Sequence, residues 1–166
     1  MGEHQDILTW ERFGEATRAL ATQVAEDGYR PDIVLAVARG GLMPAGAVAY
    51  LLGVKNVFTM NVEFYTGVDQ RLPMPVMLPP VLDTVDIKGA KVLVVDDIAD
   101  TGRTLELVQD FCRDHVEDVR CAVLYAKPGS LVTCRYVWRS ADSWITFPWD
   151  ESVVGALTAK AGVLET

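Results

Sequence analysis

Apolar residues recur at three- and four-residue intervals from Trp10 to Val24 (Trp10, Phe13, Ala16, Leu20, Val24), the spacing of one helix face. Thr9 stands where an N-cap is wanted, and Gly28 and Pro31 supply a stop. The pattern then changes. Asp32 to Ala38, "DIVLAVA", is a short β-branched run with almost no polar residue, as in a strand buried on both faces. "RGGLMPAGAVAYLLG" predicts a glycine turn and a small-residue helix ending near Gly53. Val57 to Phe64, "VFTMNVEF", predicts a second strand, "KVLVVDD" from Lys91 a third, and Val119 to Lys127, "VRCAVLYAK", a fourth. Between the third and fourth, "GRTLELVQDFCRDH" predicts a helix with Leu105, Val108, Phe111 and Cys112 on one face. "RYVWR" reads as a weak fifth strand, and "DSWITFPWDESVVGAL" closes the pattern with two tryptophans and an amphipathic turn or helix. Strands alternating with helices predict an α/β fold, a mostly parallel twisted sheet flanked by helices.

One stretch breaks the alternation. Residues 65–90 hold four prolines (Pro73, Pro75, Pro79, Pro80) and little periodicity. A connection of that length is expected to be a functional, mobile loop, with its apolar middle "PMPVML" packed on the core as the alternative. A chain of 166 residues is otherwise expected to form one domain with a real core.

Composition narrows the function. The 15 basic residues form no block against 23 acidic ones, a formal net charge of -8, so no nucleic acid is expected as partner. No apolar stretch reaches the length of a membrane span, and the polar start "MGEHQDILTW" does not read as a signal peptide. The three cysteines, Cys112, Cys121 and Cys134, form no C-x-x-C pair, and are expected to be buried, reduced thiols of a cytoplasmic protein. The two histidines, His4 and His115, have no metal-ligand spacing.

The chemistry is expected at strand ends, where open α/β sheets bind ligands. Arg39, Gly40 and Gly41 follow the first strand. The glycines let backbone approach a ligand, and the guanidinium can fork onto phosphate oxygens. After the third strand, residues 100–104 place backbone N–H groups at a helix start, with Thr101 and Thr104 as hydroxyl donors and Gly102 permitting close approach. That is an anion site by geometry and dipole. It has neither the glycine spacing nor the Lys-Ser/Thr pair of a Walker loop. Asp96 and Asp97 beside an anion would repel it unless sugar hydroxyls donate to them or a divalent cation intervenes. A phosphorylated ribose taken with magnesium satisfies the pattern.

"VLVVDDIADTGRTL" resembles the phosphoribosyl-pyrophosphate signature of type I phosphoribosyltransferases. "TWERFGEATRALA", "VARGGLMPAG", "YAKPGS" and "DSWITFPWD", in that order over most of the chain, are similar to the 6-oxopurine phosphoribosyltransferases of bacteria. The resemblance implies transfer of a phosphoribosyl group from 5-phosphoribosyl 1-pyrophosphate to hypoxanthine, guanine or xanthine, with Mg²⁺. It implies that Asp96 and Asp97 hold the ribose hydroxyls and help place the metal. Asp100, Thr101, Gly102, Arg103 and Thr104 would cradle the 5′-phosphate, and Asp100 would accept a proton near purine N7. Arg39 and Gly40 would bind pyrophosphate at a turn that in the family often carries a non-proline cis peptide. Lys127 would face the purine 6-oxo group, Trp144 would stack on the ring, and the Ile145 backbone would lie near its 2-position. A base-binding hood over about 127–152 and a homo-oligomer, dimer or tetramer, complete the implied picture.

One departure concerns the mobile loop. The family's Ser-Tyr pair reads Phe64-Tyr65 here, leaving Tyr65 as the catalytic-loop tyrosine without the serine. Alternatives left open are a phosphoribosyltransferase for another base, and a non-enzymatic regulator that senses phosphoribosyl pyrophosphate.

Overall fold

The computed structural model describes residues 5–65, 74–78 and 87–152. Eight strands and three helices follow in the order β1 (Gln5–Ile7), α1 (Trp10–Glu26), β2 (Ile33–Ala38), α2 (Leu42–Leu52), β3 (Asn56–Tyr65), β4 (Met74–Leu78), β5 (Lys91–Ala99), α3 (Arg103–Arg113), β6 (Asp118–Ala126), β7 (Tyr136–Ser140) and β8 (Trp144–Thr146). Six strands form one sheet in the order β4-β3-β2-β5-β6-β7. All its pairings are parallel except β3 with β4. The mostly parallel α/β architecture expected from the alternating elements is therefore present.

Alternation along the strands builds two cores. Val34, Ala36, Leu93, Val95, Ala122 and Leu124 pack with α1 and α2, while Ile33, Leu35, Val37, Val92, Val94 and Val123 pack with Leu105, Val108 and Cys112 of α3. Each fully buried Leu or Val contributes about 1.5–3 kcal/mol of transfer free energy. α1 starts where Thr9 accepts a hydrogen bond from the Arg12 N–H at 3.3 Å. α2 ends at Gly53, whose left-handed φ of 70° lets its N–H reach the Ala49 and Tyr50 carbonyls.

Two elements differ from the sequence reading. Met74–Leu78, placed in the loop, is a strand antiparallel to β3, with Phe64 opposite Pro75. A proline is tolerated there because β4 is an edge strand. The rest of that loop, residues 66–73 and 79–86, lies outside the described residues, as does the chain after residue 152 where a final turn or helix was expected. β1 escaped the periodicity argument because three residues carry no period. It pairs in parallel with β8, Gln5 opposite Trp144.

The end of the sheet away from the strand tips is pinned by one carboxylate. Asp27, after α1, accepts from both Arg135 side-chain nitrogens used (3.1 and 2.8 Å), from Arg120 at 2.7 Å and from the Tyr136 hydroxyl at 2.8 Å. Arg120 lies over the Tyr29 ring at 4.1 Å. These bonds tie α1 to β6 and β7.

Candidate functional site

Parallel strands bring the carboxyl ends of β2, β5 and β6 to one edge. Arg39, Asp100 and Lys127 each follow directly on one of these strands. After β2 the chain turns through a cis Ala38–Arg39 peptide bond. Gly41 is obligatory in this turn: a Cβ there would lie 2.5 Å from the backbone oxygens of both Val37 and Val95. Gly40 faces the Asp97 carboxylate so closely that a Cβ would overlap it. The Arg39–Gly41 turn and the acidic pair, expected from separate stretches, thus touch.

β5 carries the acids through an irregularity. Val95 and Ile98 pack in the α1–α2 core, although three positions apart, and Ala99 packs in the α3 core. The ladder with β6 passes from Asp96↔Val123 to Ile98↔Tyr125, skipping Asp97. Regular alternation would send adjacent side chains to opposite faces. Both carboxylates nonetheless line one cavity of about 340 Å³, shared with Phe64 and residues 98–105. Asp97 also lines a second cavity, about 790 Å³, with Arg39, Gly40, Leu42, Met43, Trp149 and Asp150. Asp97 is therefore the common wall between the loop at α3 and the turn at Arg39.

Burial and like charge set the electrostatics. Asp96 is buried, accepting the Asp97 N–H at 2.9 Å. Its carboxyl is held well above the usual range, first by desolvation and then by the Asp97 charge. Asp97 is also raised, chiefly by desolvation, with the Asp150 charge adding to it. Hydroxyl donors or a cation at these oxygens would remove that cost. Among the described residues no cluster of three or more His, Cys, Asp or Glu forms a complete metal cage.

The 100–104 loop is held from behind. Gly102 has φ 82°, and a Cβ on it would lie 2.5 Å from Ser130 Oγ and under 3 Å from the N atoms of Leu131 and Val132. The Leu131 N–H donates to the Thr101 carbonyl, and the Lys127 N–H to the Ala99 carbonyl, each at 2.9 Å. The segment after β6 thereby braces the loop. Thr101 Oγ1 accepts the Arg103 N–H at 3.4 Å, and Thr104 lies in the first turn of α3. Lys127 Nζ sits 3.5 Å from Asp100 Oδ1. Both line a third cavity with Arg103, Gly129 and Asp142.

The structure thus brings together Arg39, Gly40, Asp96, Asp97, Asp100, Thr101, Gly102, Arg103, Thr104 and Lys127. Trp144 stands apart, 69% exposed on β8 and outside these three cavities. Ile145, the next residue, is buried. Tyr65 ends β3 opposite Met74; its side chain, and hence its assignment as a catalytic-loop residue, lies outside the described residues. Trp149, read as packing, stacks on Phe147 at 5.0 Å while also facing the Arg39 cavity. Sequence reasoning missed Ser130 beneath Gly102, Asp142 beside Lys127 and Asp150, whose carboxylate accepts the Phe147 N–H at 2.8 Å. Ser130 and Asp142 carry no local signal because each meets the site from another loop, and Asp150 reads locally only as the end of a turn.

Comparison with known proteins agrees with the fold. A family model described as the phosphoribosyl transferase domain matches residues 3–155. The xanthine-guanine phosphoribosyltransferase of Nitratidesulfovibrio vulgaris is 36% identical over 148 residues, covering 88% of this chain and 85% of the relative. That of Cereibacter sphaeroides is also 36% identical, covering 86% and 85%. A crystal structure of a purine phosphoribosyltransferase from Pyrococcus horikoshii superposes with a TM-score of 0.79 at 35% identity, covering 89% of this chain and 95% of that one.

Proposed function

This chain belongs to the phosphoribosyltransferase family, and we propose that it transfers the phosphoribosyl group of 5-phosphoribosyl 1-pyrophosphate to a 6-oxopurine, hypoxanthine, guanine or xanthine. The products are a purine nucleoside monophosphate and pyrophosphate, a salvage reaction. The observation that carries the reading is Asp97, the shared wall between the anion loop at α3 and the Arg39 turn. A ligand with phosphate at one end, a diol in the middle and pyrophosphate at the other spans that arrangement.

Each group then has a task. The N–H groups at the α3 start, with Thr101 and Thr104, hold the 5′-phosphate. Asp96 and Asp97 accept from the ribose hydroxyls. Arg39 and the Gly40 backbone bind the pyrophosphate and stabilise the charge it gathers on leaving. Asp100 accepts the purine proton as N9 attacks the anomeric carbon. Lys127 donates to the 6-oxo oxygen. A 6-amino group offers Lys127 no acceptor there and sets donor against donor, which costs about 1–3 kcal/mol once the base covers the half-buried ammonium. Trp144 offers a broad open ring for stacking and the Ile145 backbone faces the 2-position.

Mg²⁺ fits this donor set. It prefers hard oxygens and takes one or two carboxylates together with substrate oxygens, and the raised carboxyls of Asp96 and Asp97 lose their mutual repulsion beside it. When bound it neutralises charge on the pyrophosphate.

The reading extends to one phosphoribosyltransferase domain over 1–166, a closing segment at about 65–90 carrying Tyr65, and a base hood at about 127–152. A homo-oligomer, dimer or tetramer, is supported by α2. That helix has no charged residue, yet exposes Tyr50 and Leu51 near its end, and large apolar side chains left open on an uncharged helix suit an interface. A cytoplasmic location is supported by three buried free thiols. No helix among the described residues is long and apolar enough to cross a membrane. The absence of any basic cluster in the sequence argues against nucleic acid as a partner.

The test is pyrophosphate release from phosphoribosyl pyrophosphate and Mg²⁺ with hypoxanthine, guanine, xanthine, adenine, uracil or orotate supplied singly. Turnover with 6-oxopurines, lost in Asp100→Ala, is expected. Turnover confined to adenine or a pyrimidine overturns the base assignment, and binding without turnover makes the protein a sensor.

A further inference from the structure

The Phe64-Tyr65 departure has no part in the chemistry above, and the structure gives its first residue a place. Along β3, Phe58, Met60 and Val62 point to the α3 side and pack with that core. The next residue of the same parity is Phe64. By then the ladder with β2 has ended, at Ala38↔Asn61, and only Pro75 of β4 stands opposite. The Phe64 ring consequently runs past the packed core and is left 48% exposed. It does not face open solvent at large: it lines the cavity whose other walls are Asp96, Asp97 and residues 98–105. An aromatic ring faces the acids and the anion loop across one small space.

We propose that Phe64 is the apolar wall of the phosphoribosyl cavity, a positioning residue whose ring packs on the sugar and keeps water from its anomeric carbon. This rests on the function proposed above. A hydroxyl at this position would supply one more hydrogen bond in a cavity already rich in polar groups. A phenyl ring supplies none. What it supplies is area, and a sugar whose hydroxyls are turned to Asp96 and Asp97 presents its C–H face to the opposite wall. Burying the open half of the ring against that face is favourable by the area removed from water.

The wall also bears on the fate of the reaction. When the C1–O bond breaks, pyrophosphate leaves with the electron pair and C1 becomes electron-poor. Attack by purine N9, with loss of its proton, gives the nucleotide. Attack by water, with loss of a proton, gives ribose 5-phosphate instead. Excluding water from one side of the sugar favours the first outcome.

The experiment compares wild type with Phe64→Ser and Phe64→Leu. Phosphoribosyl pyrophosphate affinity is measured by calorimetry with Mg²⁺. Steady-state transfer to hypoxanthine and base-free release of ribose 5-phosphate are measured separately, and melting temperatures confirm folding. Phe64→Ser is expected to weaken donor affinity and raise its KM about tenfold, as expected for losing roughly half a buried phenyl, leaving the hypoxanthine KM unchanged. Its ratio of hydrolysis to transfer is expected to rise, and Phe64→Leu is expected to recover most of both properties. A purely structural role would lower the melting temperature without moving that ratio. Wild-type donor affinity and ratio in Phe64→Ser would overturn the proposal, and so would a Phe64→Leu protein as impaired as Phe64→Ser. Either result alongside a wild type that turns over leaves the proposed function standing. A wild type that neither binds nor consumes the donor overturns both.

Discussion

At the Arg39 turn one added carbon on Gly41 would strike two backbone oxygens at 2.5 Å, whereas in the hood Trp144 leaves 69% of its surface open. The anion side is made of backbone packed on backbone, with glycines where no side chain fits. The side proposed to hold the base is made of side chains reaching between loops, as Lys127 does to Asp100 at 3.5 Å. Phosphate and pyrophosphate are the same in every turnover, so a rigid cradle loses nothing. The base is the variable partner, and on the proposed reading an exposed Trp144 is a platform that can accept hypoxanthine, guanine or xanthine. Rigidity is thus placed where the ligand is constant.

The sharpest way to break this contrast is Gly41→Ala. Its Cβ has no flexible neighbour to displace, so a loss of about 3 kcal/mol and of all activity is expected, read by denaturant unfolding and pyrophosphate release. In Gly40→Ala the nearest atoms to the new Cβ belong to the Asp97 carboxylate, and the variant is expected to keep the fold while losing activity. Equal stability losses in the two would show that the turn is not rigid. Next in size is Asp96→Asn. Desolvation and the Asp97 charge both oppose ionisation of Asp96, so the amide is expected to melt at or above the wild-type temperature. Turnover is expected to fall about 100-fold or more as the charged acceptor disappears. A variant that is both active and less stable would contradict the role given to the pair.

The smallest effect belongs to the opposite end of the sheet. Asp27 has its carboxyl lowered to about 2 from 3.8, first by its bond to Arg135 and then by that to Tyr136. A carboxyl lowered on folding stabilises the native state above its unfolded value, and that contribution is lost as pH falls through the folded value. Acid unfolding followed by circular dichroism is therefore expected to show wild type losing this contribution between about pH 4 and 2. Asp27→Asn is expected to be less stable at neutral pH with a shallower acid dependence, and with unchanged KM for both substrates. A changed KM would join this cluster to the site.

Legibility in the sequence follows the same division. β2, α2, β5, α3 and β6 could be read locally because each carries its own period, and the anion loop could be read because its residues are contiguous. The hood could not: β1 exists only through Gln5↔Trp144 and its neighbours, a pairing across nearly the whole chain. β4 hid behind Pro75, which signals a break until an edge position accommodates it. The strand irregularity at Asp96 and Asp97 has no sequence mark, since "KVLVVDD" reads simply as a buried apolar run ending in two acids. Ser130, packed under Gly102, was visible only as part of "YAKPGS".

The most direct measurement is donor affinity and base turnover side by side in Lys127→Met. Titration with phosphoribosyl pyrophosphate and Mg²⁺ should match wild type within about twofold, while kcat/KM for hypoxanthine falls about 100-fold, as when a charged hydrogen-bond donor is removed. An equal loss of donor affinity and base turnover would contradict the division of the site into a rigid anion side and a separate base side.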